Sequence, residues 1–303
     1  MIMKTRIGDH FIKYVSLGFS CLILLILIGI AYELVAGSRP SIEQFGWKFL
    51  ITSTWDPVNR VFGAFPFIYG TVVSSVIALI IALPVSLGIS IFLSELSPPK
   101  LRIYGSLMVE LLAAIPSIIY GLWGLFVMVP FLQIYVEPFL GRYLGFMPFL
   151  FKGYPLGVGM LAGGLILSIM IIPTIASISR DILNSVPIIY KEAGLGLGMT
   201  RWEVISKISI PYSKSGIIGA VMLGLGRALG ETMAVTMVIG NSPNISASLF
   251  APSYTIASVI ANEFTEATYK LYISSLIELG LILLVISMIF NAIAKLLVKR
   301  DSI

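Results

Sequence analysis

Two oppositely charged residues, Arg227 and Glu231, lie four positions apart within a long apolar stretch of the chain, residues 215–240. Residues with this spacing share one face of a continuous helix. A charge at the centre of a membrane helix costs roughly 2.5 to 3.5 kcal/mol on insertion scales, so we expect both side chains to face protein or water rather than lipid. The two residues are therefore candidates for chemistry inside a membrane.

Two interpretations of this pair remain open on the residues alone. In the first, Arg227 and Glu231 form an internal salt bridge that neutralises both charges and holds the helices together. In the second, Arg227 lines the pathway of an anion, and Glu231 is the partner that keeps the site from trapping the anion permanently. The planar guanidinium of arginine offers paired donors and stays charged at physiological pH, which suits phosphate.

A second group of spaced residues lies in a polar loop between two apolar stretches, residues 188–211. These residues are Glu192, Ala193, Gly194, Gly198, Ile208 and Pro211. The glycines predict two short helices joined near Gly198, and Thr200 with Glu203 matches the capping box that begins a helix. The loop has the features of a docking surface for another protein.

The second predicted helix of this loop is amphipathic. Trp202, Ile205 and Ile208 recur at helical spacing and predict a short apolar stripe, which leaves the charged residues for solvent or a partner. An interfacial helix that only anchors the protein at the membrane surface would show the same pattern. The amphipathic pattern alone does not separate anchoring from docking.

The elements that position these residues are predicted to be membrane helices. The sequence is 57% hydrophobic and 12% charged, far fewer charges than a soluble domain carries, which indicates an all-α polytopic membrane protein. Six apolar stretches are long enough to cross a bilayer. They cover about 15–35, 67–93, 104–129, 156–179, 215–240 and 271–297 of a single transmembrane domain, 1–303. The proline-broken stretch 130–155 and the stretch 241–270 are predicted to be external excursions.

The scarcity of histidine and cysteine argues against several other functions. His10 and Cys21 are the only residues of their types, so neither a His-based metal cluster, an intramolecular disulfide nor a Ser-His or Cys-His catalytic set can form within the apolar body. The net charge of +5 comes from basic residues scattered among apolar runs, which is typical of membrane loops rather than of nucleic-acid binding.

The distribution of lysine and arginine predicts the orientation. Most of these residues fall on the side that carries both termini and the loop 188–211. The positive-inside rule therefore predicts that this side is cytoplasmic, in the cytoplasmic membrane of a prokaryote.

The spacing in the loop resembles the EAA…G…I-LP coupling loop of permeases in ATP-binding-cassette (ABC) importers, with Gly194 where alanine is usual and Ile210 where leucine is usual. The resemblance implies that Glu192, Gly198 and their neighbours fit a cleft on a separate ATPase subunit. It also implies the type I importer fold with six transmembrane helices and a cytoplasmic coupling helix. No lysine follows a glycine, so the chain lacks the end of a P-loop and is not expected to bind ATP or another cofactor itself.

The segment 224–241, GLGRALGETMAVTMVIGN, closely resembles that of the PstC family of phosphate-importer permeases, as does Gly70-Thr71. This resemblance implies a non-catalytic subunit that translocates inorganic phosphate, with Arg227 and Glu231 on its pathway. The implied partners are membrane lipid, a PstA-like second permease, two copies of a PstB-like ATPase and a PstS-like phosphate-binding protein.

Alternative functions are a permease for another oxyanion and an ion-coupled secondary transporter, which could also use intramembrane charges. A secondary transporter would not need the spaced loop. A membrane enzyme is a further alternative for which we find no catalytic set.

Overall fold

The computed structural model describes residues 2–143, 145, 148–151 and 153–300. Within these residues the chain is helical, and its only β pairing consists of isolated bridges. A helix satisfies its own backbone polar groups, as a lipid environment requires. Six helical segments are long and apolar enough to cross a membrane: Ile12–Phe45, Phe65–Leu96, Ser117–Tyr143, Met160–Asn184, Arg201–Gly230 and Lys270–Leu296. The predicted all-α fold with six spans is confirmed.

The elements of the first half are connected by short turns. They are α1 (Ile2–Phe45), α2 (Lys48–Ile51), α3 (Phe65–Ile91), α4 (Pro99–Ala114), α5 (Ser117–Trp123), α6 (Val129–Phe131), α7 (Glu137–Tyr143) and α8 (Pro148–Phe151). Wider π-helical turns continue three of these helices without a break, at Phe92–Leu96, Gly124–Met128 and Leu132–Val136.

The second half contains both groups of candidate residues. Its elements are α9 (Met160–Asn184), α10 (Ile188–Gly196), α11 (Arg201–Val204), α12 (Ile210–Gly230), α13 (Met233–Val238), α14 (Ile256–Glu263) and α15 (Lys270–Arg300). A π-helical turn, Ile205–Ser209, joins α11 directly to α12.

The third span does not cover 104–129 as predicted. The helix breaks at Ile115–Pro116, and the candidate span is Ser117–Tyr143. Pro130 and Pro138 each follow closely upon a π-helical turn, so the chain stays helical through residues that we predicted to form an external excursion. Proline cannot donate a backbone hydrogen bond, and a change in the turn spacing accommodates that loss without ending the helix.

The fifth span differs from the predicted 215–240 at both ends. It begins at Arg201, because the loop helix continues into it, and it ends at Gly230. Glu231 follows with extended backbone angles, φ −70° and ψ 128°, and α13 begins at Met233. The helix therefore breaks within the predicted span, and the apolar composition of 231–240 gives no indication of this break.

The first span is longer than the predicted 15–35. Residues 36–45, which lie beyond the end of the predicted span, remain helical up to Phe45. This end of α1 packs on α15 through small residues, and the Ser41 N–H donates to Ser274 Oγ at 3.0 Å. The preceding stretch, residues 12–30, is exposed along its whole length, including Cys21.

The helix α9 forms the centre of the protein. Of the 18 most apolar consecutive residues of α9, 67% are buried, whereas the share is at most 33% in each of the other candidate spans. It packs along α3 and α12, and its fully buried Ile166 and Ile171 belong to the largest apolar cluster among the described residues. The two helices beside α9 carry the residues of greatest functional interest.

A cluster of aromatic residues closes the end of the protein opposite the loop 188–211. Trp55 stacks edge-on against Phe62 and Phe67, with ring centroids 4.8 and 4.9 Å away. The Glu263 carboxylate accepts hydrogen bonds from Trp55 Nε1 and Tyr272 Oη, each 2.7 Å long. The connection between α2 and α3 is thereby fixed to the segment that precedes α15.

Candidate functional site

Arg227 lies in the last turn of α12, facing the central helix α9. Its side chain is half-buried, and Nη1 donates to Thr174 Oγ1 at 3.2 Å. The close approach of α12 to α9 at Gly224, where a Cβ would lie 2.6 Å from Ile175 Cγ1, brings the guanidinium to this hydroxyl. Arg227 thus lies against protein, as its charge requires.

Glu231 does not share a helical face with Arg227, because α12 ends between them. Its Oε1 instead accepts a hydrogen bond of 3.3 Å from the backbone N–H of Ala234, in the first turn of α13. A side-chain oxygen in that place satisfies one of the donors left open at a helix N-terminus. The carboxylate of Glu231 therefore caps α13.

The salt bridge between Arg227 and Glu231 that the first of the two interpretations requires is not formed between these residues. In the described part of the chain, the ion pairs are made by Arg180, Lys191 and Lys207, and none includes Arg227. The guanidinium therefore keeps its positive charge without a carboxylate at contact distance. Such a group in a protein of apolar helices is suited to attract an anion.

The break after Gly230 is chemically important in a membrane protein. Thr232 Oγ1 donates to the Gly230 carbonyl oxygen at 3.3 Å, which satisfies part of the interrupted helix. Irregular backbone at membrane depth is tolerated only where it is buried in protein or lines a water-filled cavity. Both Glu231 and Thr232 are half-buried, so the break lies beside Arg227 at a partly open surface.

The loop 188–211 forms two helices that meet at Gly198, as predicted. Gly198 has a φ of +84°, in the left-handed region that glycine adopts readily. Thr200 caps α11: its Oγ1 accepts from the Glu203 N–H, and the Glu203 carboxylate accepts from the Thr200 N–H at 2.9 Å. The predicted capping box is confirmed.

Gly194 and Ile208, from the two helices of the loop, are in contact. A Cβ on Gly194 would lie only 2.7 Å from Ile208 Cδ1 and 3.2 Å from Val204 Cγ2. The absence of a side chain at this position, where the importer motif usually has alanine, lets α10 pack closely on α11. Val204 and Ile205 are both buried in the loop, with 5% and 2% of their surface exposed.

The remaining motif residues of the loop lie at its surface. Glu192, Ala193, Gly198 and Pro211 are exposed. The predicted stripe of Trp202, Ile205 and Ile208 is wrong at Trp202, because this side chain is 63% exposed. Val204 is buried in its place. Large apolar residues are exposed beside this motif as well: Ile188, Ile189, Tyr190, Leu195, Leu197 and Tyr212. An apolar surface of this kind on a polar loop favours a protein partner.

The two groups of predicted residues are connected by one helix but lie far apart. From Ile208 to Arg227 the chain is helical throughout, which at 1.5 Å per residue is about 28 Å. We therefore distinguish an intramembrane site around Arg227 from the coupling surface, residues 188–211.

Two contacts of these regions were not predicted from the sequence. Thr174 bonds Arg227 from a different helix, and Glu95 binds Lys191 of the loop at 2.8 Å. An acidic residue at the end of an apolar stretch is a signal that could have suggested Glu95. The position of Thr174 carries no such signal. Among the described residues no group of His, Cys, Asp and Glu is arranged to hold a metal ion.

The sequence profile of the binding-protein-dependent transport system inner membrane components matches residues 86–302. A phosphate transport system permease protein PstC of Mesorhizobium japonicum is 53% identical over 302 residues, covering 99% of this chain and 92% of the relative. The PstC protein of Pasteurella multocida is 50% identical, covering 97% and 94%. A probable PstC of Methanocaldococcus jannaschii is 38% identical, covering 86% and 84%.

Solved structures share the fold at low sequence identity. A bacterial ABC transporter involved in the import of the acidic polysaccharide alginate aligns with a TM-score of 0.61 at 18% identity, covering 97% of this chain and 99% of that one. The MetNI methionine ABC transporter in an inward-facing conformation aligns with a TM-score of 0.57 at 17% identity, covering 82% and 99%. The type I ABC permease fold is confirmed, and the chain belongs to the family of binding-protein-dependent transport system inner membrane components, within its PstC group.

Proposed function

We propose that this chain is the permease subunit that conducts inorganic phosphate through the membrane in an ATP-driven importer. The observation that carries this proposal is Arg227, a half-buried guanidinium without a carboxylate partner, in a chain whose relatives are named phosphate transport permeases. Its donors can bind the oxygens of phosphate, and the nearby break in the helix gives the ion access to them.

The subunit itself does not catalyse a reaction. In this family of importers the permease is a membrane subunit, and ATP is hydrolysed by a separate one. The coupling surface, with its exposed Glu192, Leu197 and Trp202, is suited to receive that ATPase. We assign the side that carries this surface, and with it both termini, to the cytoplasm, because most of the Lys and Arg residues lie there.

We assign four kinds of partner to the chain. A PstA-like second permease completes the pathway, two copies of a PstB-like ATPase occupy the coupling surfaces of the two permeases, and a PstS-like protein delivers phosphate on the other side. Lipid and the companion permease cover the stretch 12–30 of α1, which is apolar and exposed.

Reconstitution of the chain with its companion permease, ATPase and binding protein tests the function. We expect ATP-dependent uptake of phosphate into proteoliposomes that greatly exceeds uptake of sulfate. A guanidinium alone recognises both tetrahedral oxyanions. Equal rates of uptake would therefore mean that the pathway does not select phosphate, which would contradict the choice of substrate.

The same proteoliposomes separate an ABC importer from a secondary transporter. Collapse of the proton gradient at constant ATP is expected to leave uptake unchanged. Uptake that stops with the gradient and ignores ATP would contradict the proposal.

A further inference from the structure

A shielded ion pair connects the coupling surface to a membrane span that is distant in sequence. Lys191 Nζ lies 2.8 Å from Glu95 Oε1, and the two side chains are only 20% and 11% exposed. Lys191 belongs to α10, whereas Glu95 belongs to the π-helical turn that ends the span Phe65–Leu96. Ion pairs shielded from solvent are screened less by salt than surface pairs, so this contact holds the two elements in a defined geometry.

The other ion pair of this loop differs in its connections. Lys207 Nζ lies 3.0 Å from Glu203 Oε1, but these residues are four positions apart in one helical segment and are 62% and 39% exposed. Exposed pairs of this kind contribute little to stability. Lys191 and Glu95 thus form the one ion pair, among those of the described residues, that connects the loop to another element.

The span that carries Glu95 reaches the opposite end of the protein. There Thr71 Oγ1 accepts a hydrogen bond of 2.9 Å from the Ile256 N–H. Gly70 abuts the Tyr254 carbonyl oxygen so closely that a Cβ would overlap it. The non-helical segment 239–255 is therefore fixed to α3 at its end, and α3 also packs along the central helix α9.

We propose that Lys191 and Glu95 are positioning residues that transmit movement of the coupling surface to α3, and through α3 to the segment 239–255. The second helix of the loop is continuous with α12 and moves Arg227. The loop would then drive two spans, one through a covalent connection and the other through this ion pair. The inference rests on the proposed function, because the movement comes from a bound ATPase.

Charge reversal in the reconstituted importer tests the ion pair. The measured quantity is the amount of phosphate transported per ATP hydrolysed, with transport and hydrolysis recorded separately. Lys191→Glu and Glu95→Lys are each expected to lower this ratio at least about fivefold, the lower end of typical coupling between sites. The double variant Lys191→Glu/Glu95→Lys restores the pair and is expected to return within about twofold of the wild type.

Three further variants control for charge and for assembly. Lys191→Arg keeps the ion pair, and Lys100→Gln removes an exposed cation that lies outside the coupling surface, so both are expected to keep the wild-type ratio. The double variant Lys191→Gln/Glu95→Gln leaves no unpaired charge. We expect it to assemble with its ATPase, as shown by co-purification, and to show the lowered ratio.

The two proposals fail in different ways. A wild-type complex that hydrolyses ATP without moving phosphate would contradict the proposed function. If the wild-type complex transports phosphate and the charge-reversed single variants keep the normal ratio, the role of the ion pair is overturned and the proposed function is not. The role of the ion pair would also be overturned if the double variant Lys191→Glu/Glu95→Lys co-purifies as an intact complex but still transports less phosphate per ATP hydrolysed.

Discussion

Arg227 retains most of its capacity to donate hydrogen bonds. Arg180, for comparison, is bound to both Glu110 and Asp181 at 3.0 and 2.8 Å. Arg227 has only the neutral Thr174 hydroxyl as a bonded partner. Its charge is therefore available to an anion, whereas the charge of Arg180 serves the packing of α4 on α9.

Replacement of Arg227 tests this assignment. Arg227→Ala is expected to lower ATP-dependent phosphate uptake roughly tenfold to a hundredfold, since a hydrogen bond to a charged group contributes about 1.5 to 3 kcal/mol. Arg227→Lys keeps the charge but loses the planar pair of donors, so we expect an intermediate rate. Normal uptake by a fully assembled Arg227→Ala complex would rule out a role in the pathway.

Glu231 is expected to affect stability through its cap on α13. Glu231→Ala removes the acceptor for the Ala234 N–H and is expected to destabilise the protein by about 1 kcal/mol. Glu231→Gln keeps an oxygen in that place and should unfold at the wild-type temperature. Thermal unfolding of both variants in detergent provides the measurement, and equal stability of the two would contradict the capping role.

Arg227 and Glu231 could be chosen as candidates from the sequence, but their relation to each other could not be predicted. A charge in an apolar stretch is recognisable because its burial in lipid is costly. The helix break between Arg227 and Glu231 leaves no comparable signal, since Gly230 and Thr232 are ordinary residues in membrane helices. The salt-bridge interpretation required a continuous helix from Arg227 to Glu231, and α12 ends at Gly230.

The two helices of the coupling surface depend on the conformation at Gly198. Its φ of +84° directs α11 back towards α10 and allows the contact between Gly194 and Ile208. A residue with a side chain is strained in this region by roughly 1 to 2 kcal/mol. The geometry of the surface therefore depends on a glycine or a residue that tolerates the left-handed conformation.

Gly198→Pro is expected to abolish coupling or docking of the ATPase, because proline fixes φ near −65° and cannot adopt the native angle. Gly198→Asn is the matched control, since asparagine tolerates the left-handed region, and should retain most of the transport. Co-purification of the ATPase and uptake per ATP hydrolysed measure the two effects. Wild-type transport by Gly198→Pro would argue against the coupling model.

Prediction of the elements succeeded where apolar composition and turn chemistry agreed. The capping box at Thr200 was recognisable because both of its partners lie within three residues. The third span was misplaced because Pro130 and Pro138 were expected to end the helix. The π-helical turn Gly124–Met128 before Pro130 packs against α9 and α13, and the local sequence does not reveal these contacts.

At the scale of the whole molecule, α3 connects the two ends of the protein. Glu95 binds the coupling surface at one end, and Thr71 binds the segment before α14 at the other. Both contacts join residues widely separated in sequence. Apolar periodicity is a local property, so such contacts could not be predicted although the six spans could.

The hydroxyl of Thr71 is expected to stabilise the far end of the protein. Thr71→Val leaves the buried Ile256 N–H without its acceptor, which should destabilise the protein by about 1 to 3 kcal/mol. Thr71→Ser keeps the hydroxyl and is expected to unfold close to the wild-type temperature. A melting temperature unchanged in Thr71→Val would show that another group satisfies the Ile256 N–H.

The uninterrupted helix from Arg201 to Gly230 gives the importer the geometry of a lever. Over the roughly 28 Å between Ile208 and Arg227, a tilt of about 10° shifts one end by about 5 Å relative to the other, close to the rise of one helical turn. A displacement of that size exceeds the length of a hydrogen bond. We therefore expect that modest closure of an ATPase at one end of this helix would separate the guanidinium at the other end from a bound anion.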